Sequence, residues 1–167
     1  MNALSPEVAY VGALLALPAE LAAHAADLIE TDDLTDPRLQ LVRAIAAELA
    51  ADGIPPGPAA VLGHARRTGQ VSGEQRTRLL SDALLTAYAG CPVPAAVEHY
   101  AGLVLDDALR RRCIKLAVRI RQAATQGGLT DLLSIVGEET RAVAAMRDRR
   151  ARTLLSIGAS PALELSA

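Results

Sequence analysis

Residues 98–122, EHYAGLVLDDALRRRCIKLAVRIRQ, contain no proline and one glycine, and they carry apolar residues at more positions than a single packing stripe needs. With the residues on either side, the run predicts one helix from Pro94 to about Gln126. At 1.5 Å per residue its length is on the order of 45 Å. Gly127 and Gly128 are the next break, and a second helix, capped by Thr130, is predicted from there to about Arg149. So short a connection forces the two helices into an antiparallel pair.

Within that pair Leu109, Cys113, Leu116, Ile120 and Ala124 step by four and three, as do Leu132, Val136, Thr140 and Val143. These are the spacings of a helix–helix seam. Ile114, Val118, Leu133 and Ile135 fall off it, so two helices alone leave them in water and a second hairpin is the natural cover. The residues read as self-associating are therefore Leu109, Ile114, Val118, Leu132, Leu133, Ile135, Val136 and Val143.

The 93 residues before this region read as a globular head of about five short helices. Ala (34 residues) and Leu (26) dominate the chain, while β-branched and aromatic residues are few, so the fold class is all-α. Ser5-Pro6-Glu7 and Asp36-Pro37 each pair an N-cap with a first-turn proline. Pro18 and Pro58 open two further helices, and Gly53 ends the one begun at Pro37. IPPGP at 54–58 is a loop, because proline removes donors and blocks helix. A helix carrying Leu79, Leu80, Leu84 and Leu85 precedes the break at GCPVP. The domains are read as 1–93 (head), 94–149 (hairpin) and 150–167 (a linker or disordered tail).

Charge is uneven. Residues 1–105 carry 12 acids and 6 bases, a net of -6, and residues 106–167 carry 7 acids and 11 bases, a net of +4. Such a chain can meet nucleic acid, a copy of itself or an acidic partner. Arg110, Arg111, Arg112, Lys115, Arg119 and Arg121 are the basic candidates. Arg112, Lys115 and Arg119 share a face that could follow phosphates, and Arg111 joins them as a possible partner or DNA contact. Asp106 and Asp107 stand one turn earlier and can pair with Arg110 and Arg111. With three tyrosines as the only aromatics, single-strand stacking has no platform.

Catalytic chemistry finds no motif. Phosphate-cradling glycine patterns and a nucleophile elbow are missing, and His24, His64 and His99 lack an i, i+4 partner. ETDDLTD at 30–36 has carboxylates but not the spaced loop of a calcium site, and Asp33 or Asp36 serves better as a helix cap. Cys91 and Cys113 read as two buried thiols in a reducing cytoplasm. No cofactor, metal or catalytic residue is assigned. No secretion signal or bilayer-spanning run is read, which points to a cytoplasmic protein without a membrane partner.

Three segments in order carry a resemblance. SPEVAYVGALLALPAEL is similar to an opening helix of the form E-x-x-x-L-G-A-L-L, and ETDDLTDPRLQLVRAIAAELAADGIP to D-F-x-D-P-x-H-x-x-I-F-x-A-I. VPAAVEHYAGLVLDDALRRRCI is similar to the Y-Y-A-x-I-V-x-E start of a helical hairpin. Over roughly residues 4–148 the chain resembles the N-terminal domain of bacterial replicative helicases of the DnaB type. It departs at Leu34 (usually aromatic), Leu39 (usually His), Ala96 (commonly Asn) and His99 (usually Tyr), and the family's ATPase domain is not part of this sequence. The resemblance implies a helical head with a protruding antiparallel hairpin, and pairing of hairpins into a homodimer or higher homo-oligomer. It also implies contacts with primase, replicative helicase or helicase loader in DNA replication, without enzymatic activity in this domain. The alternative is a small helical DNA-binding regulator using the basic hairpin face.

Overall fold

The computed structural model describes residues 5–91 and 93–159, with side chains up to Thr153. It is all-α: helices α1 (Pro6–Ala16), α2 (Ala19–Ala26), α3 (Pro37–Ala51), α4 (Pro58–Arg67), α5 (Glu74–Ala89), α6 (Val97–Gln126) and α7 (Leu129–Ala159). Single 3-10 turns at Thr31–Asp33 and Pro94–Ala96 join α2 to α3 and lead into α6. The chain divides into two compact units, the first running to Val104 and the second beginning at Leu105, so α6 contributes to both.

In the first unit α1 is the central element. Ser5 caps it, its hydroxyl accepting from Val8 N at 3.2 Å, and Pro6 occupies the first turn, where no N–H is needed. Every residue from Val8 to Leu15 is buried, which requires neighbours on all sides. α5 and α3 supply them, and α3 in turn packs on α2, α4 and α5. The α1–α5 approach is close because position 12 has no side chain. A methyl group there would meet the Ala87 carbonyl oxygen at 2.0 Å and Cys91 Cβ at 2.8 Å.

The acidic segment after α2 is structural. Asp33 accepts from Glu30 N at 2.7 Å, closing the 3-10 turn, and Asp36 caps α3 by accepting from Arg38 N at 2.9 Å. The Arg38 guanidinium forks onto the same carboxylate and, above all by that hydrogen bond, holds it below the usual carboxylate range. Glu7 of α1 reaches across to accept from Thr35 N at 2.9 and 3.0 Å and from the Thr35 hydroxyl at 2.7 Å. Arg43 donates to the carbonyls of Ala26 and Ile29, satisfying groups that the end of α2 leaves open. α3 ends at Gly53 (φ 74°), with Gly53 N donating to Ala50 O and Ile54 N to Leu49 O, the paired bonds of a glycine C-terminal cap.

Packing decides which faces α2 and α5 bury, and the last helix runs further than its sequence suggested. α2 buries Ala22, Ala25 and Ala26 and leaves Leu21 56% exposed, because small side chains let α3 come close along that face. On α5, Leu80 and Leu84 are core while Leu79 and Leu85 face outward, since one side of a 3.6-residue helix cannot hold all four. α7 does not stop near Arg149 but continues through Ala159, the intervening ARTLLSIGA offering helix formers and no proline. Residues 160–167 of the expected tail lie outside the described residues.

Gly12→Ala is expected to destabilise by about 3 kcal/mol, at the severe end of overpacking changes, because backbone rather than a movable side chain blocks the methyl. Urea midpoints at constant slope check it. Tyr10 gives a second expectation. Its ring is wholly buried, its hydroxyl donates to Ala25 O at 2.8 Å, and burial, opposed by nearby Arg43, holds the phenol far above its ordinary value of 10.0. Above pH 10 the unfolded phenol ionises while the folded one keeps its proton. The native state then binds more protons, and stability falls with rising pH by up to about 1.4 kcal/mol per unit. Tyr10→Phe flattens that decline in urea titrations on the alkaline side.

Candidate interaction surface

The second unit is built from the remainder of α6 and from α7. Asp106 pairs with Arg150, and Arg112 with Glu139, so numbers rise on one helix as they fall on the other. The helices are antiparallel, as the two-glycine connection requires. Half-buried side chains trace the seam: Leu109, Arg112, Leu116, Ile120 and Ala123 on α6, and Leu132, Ile135, Val136, Glu139 and Val143 on α7. Met146 and Thr153 of α7 are buried.

This seam keeps Leu109, Leu116, Ile120, Leu132, Val136 and Val143 of the one that apolar spacing suggests and departs from it at three places. Cys113, Ala124 and Thr140 are exposed, and Arg112, Ala123 and Glu139 lie inward in their place. The reason is electrostatic. Arg112 Nη2 donates to Glu139 Oε2 at 3.1 Å, and Arg119 Nη1 donates to the other oxygen. The Glu139 side chain is only 13% exposed, so its charge is held by two guanidiniums from successive stretches of α6. Arg112 and Arg119 stand seven residues apart, which is two helical turns and one stripe. That spacing, read together with an acid on the facing helix, was the available signal. A search for apolar seams passes over it.

The predicted self-association residues therefore divide. Leu109, Leu132, Ile135, Val136 and Val143 are partly covered within the pair, and Ile135 is not among the outward residues expected of it. Ile114 is 66% exposed, Val118 49% and Leu133 62%. Leu129, which apolar spacing did not single out, is the most open at 72%. Its position just after the glycine pair, one turn before Leu133, places two leucines in line on α7.

The phosphate-following face does not survive as a set. Arg112 and Arg119 are engaged with Glu139, Arg111 is half-buried with its own interactions, and Lys115 is exposed. Asp106, which sequence spacing offers to Arg110, is gripped by Arg150 through both carboxylate oxygens. That contact raises the Arg150 guanidinium above its ordinary value, by hydrogen bond first and charge second. Arg110 and Arg121 remain exposed on α6, while α7 exposes charges of both signs, Asp131 and Glu138 with Arg141 and Arg147 among them.

Cys113 is exposed and Cys91 half-buried, so the expectation of two buried thiols fails. Cys113 sits one step outside the seam, and burial raises the Cys91 thiol. His64 is committed to Glu48 at 3.1 Å, and Glu48 also accepts from Gln70 at 3.0 Å. Among the described residues no three of His, Cys, Asp or Glu come together as a metal site. No described helix is long and apolar enough to cross a membrane.

No protein-family model and no curated protein matches the chain. Among solved structures it is similar to the N-terminal domain of DnaB helicase from Mycobacterium tuberculosis. The TM-score is 0.69 and the identity 22%, over 83% of this chain and 94% of that one. The likeness establishes that the two share a fold.

Removing the central carboxylate should loosen the second unit. Glu139→Ala leaves Arg112 and Arg119 without their acceptor, and a loss of about 1–2 kcal/mol is expected, the partial exposure of both arginines holding it below a buried-pair value. Hydrogen exchange read separately for α7 and for α1 checks it, the loss appearing in α7.

Proposed function

We propose that this chain is a non-catalytic interaction module of DNA replication. It self-associates through its second unit and presents its helical head to a replicative helicase, a primase or a helicase loader. The observation that carries the reading is that Ile114, Val118, Leu129 and Leu133 stay open on a two-helix unit whose own seam is already filled. The shared fold with a replicative helicase N-terminal domain, spanning nearly all of that domain, supports the setting.

A second copy suits these open residues for two reasons. Fully burying a Leu, Ile or Val side chain contributes roughly 1.5–3 kcal/mol, so four of them together offset a substantial part of the cost of association. The charges are also self-complementary. Arg110 and Arg121 on α6 can pair with Asp131 and Glu138 on α7 of a second copy across a two-fold axis. Pairing then holds several heads in fixed relation, so individually weak contacts to a larger partner act together.

Light scattering on the purified chain tests the pairing. A dimer or larger species is expected, which Ile114→Asp or Leu133→Asp converts to monomer while the helical circular dichroism is kept. A wild-type monomer at roughly 50 μM, a concentration where even a modest interface associates, overturns it.

A further inference from the structure

We propose that the first unit carries a binding cleft for a short acidic peptide segment of a partner protein, gripped between Arg66 of α4 and Arg78 of α5. The inference stands on the first unit alone and does not depend on pairing through α6 and α7.

The bases of the first unit are few and unevenly used. Of the 6 among residues 1–105, Arg38 is forked onto Asp36 and Arg43 closes the end of α2. The remaining four, Arg66, Arg67, Arg76 and Arg78, all fall on the α4–α5 connection and its flanks. Arg67 rests against His64 Nδ1 at 3.4 Å. Arg66 and Arg78 are exposed and make no ion pair or hydrogen bond among the described residues. They come from different helices, yet both line one open cleft of about 730 Å³.

The rest of the lining restricts what can enter. The Thr77 and Ser81 hydroxyls are spent on carbonyls one turn back in their own helix, which leaves Ser72 as the unengaged hydroxyl. Val71, 6% exposed, provides an apolar wall. Glu74 brings one carboxylate, so the cleft holds two guanidiniums against a single acid. Glu48 of α3, which meets α4 through His64, is already occupied by His64 and Gln70. Planar guanidiniums pair with carboxylates in two-point geometry, and two of them suit a segment bearing at least two acidic side chains.

A nucleic-acid strand is the less favoured occupant. Residues 1–105 carry a net -6, and a duplex places one phosphate charge about every 1.7 Å, so most of its charges would face acids rather than the two arginines. A short peptide, by contrast, engages the arginines within about one screening length of 8 Å and leaves the rest of the surface alone.

The probe is fluorescein-labelled hexaglutamate, followed by fluorescence anisotropy with the full chain at low salt. Saturable binding is expected, weakened by about tenfold or more in the Arg66→Gln/Arg78→Gln double variant. The matched Arg141→Gln/Arg152→Gln variant, at exposed positions of the second unit outside the proposed pairing residues, should bind as wild type. All four positions are exposed, and circular dichroism confirms that each variant is folded. Absence of saturable binding by wild type overturns the proposal, as does undiminished binding by the first variant or an equal loss in the second. Tighter binding of a single-stranded DNA oligonucleotide, lost in the Arg66→Gln/Arg78→Gln variant, also overturns it by making the cleft a site for phosphate chains.

Discussion

One carboxylate sets the rotation of α6 on α7. With Glu139 drawn between Arg112 and Arg119, those two positions face α7 together with Leu109, Leu116 and Ile120. Charge-assisted hydrogen bonds in a partly covered seam outweigh the small gain from turning Cys113 and Ala124 inward instead. What faces outward follows: Ile114 and Val118 on α6, Leu129 and Leu133 on α7. The surface offered to another molecule is thus decided by a polar contact at the centre of the pair, not by the aliphatic residues that form it.

The first unit uses its polar groups differently. There Glu7, Asp33, Asp36, Gln40 and Arg43 close helix ends and loops, Gln40 by donating to Leu34 O at 2.7 Å. They free the core to be almost wholly apolar, with Tyr10 as its one large polar-tipped side chain. Once these groups are accounted for, two uncommitted arginines, Arg66 and Arg78, stand beside one cleft. In both units, then, function is assigned to what folding leaves unused. In the second unit that remainder is aliphatic and suits a copy of the chain. In the cleft of the first it is cationic and suits an acidic segment.

Much of this was legible in the residues. Proline at 6, 37 and 58 with a capping or turn residue before it marks three helix starts, because proline favours the first turn and cannot occupy the interior. Gly53 marks a stop for the complementary reason. Ile114, Val118 and Leu133 were recognisable as surplus, since α6 and α7 carry apolar side chains around more of their circumference than one neighbour covers. Ile135 was misplaced and Leu129 passed over for the same reason: where apolar residues occur all round a helix, their spacing does not fix its phase. Sequence shows that Arg112 and Arg119 share a stripe but not that Glu139 stands opposite and engages both.

The sequence by itself determined the helices, their order and the antiparallel return at Gly127 and Gly128. These depend on backbone propensity, capping and chain length, all of which act between near neighbours. Tertiary structure alone decided which way α6 turns, which arginines are already engaged, and that Arg66 and Arg78 line one cleft. Those outcomes are set by side chains meeting across helices, at separations along the chain where local preference carries no information.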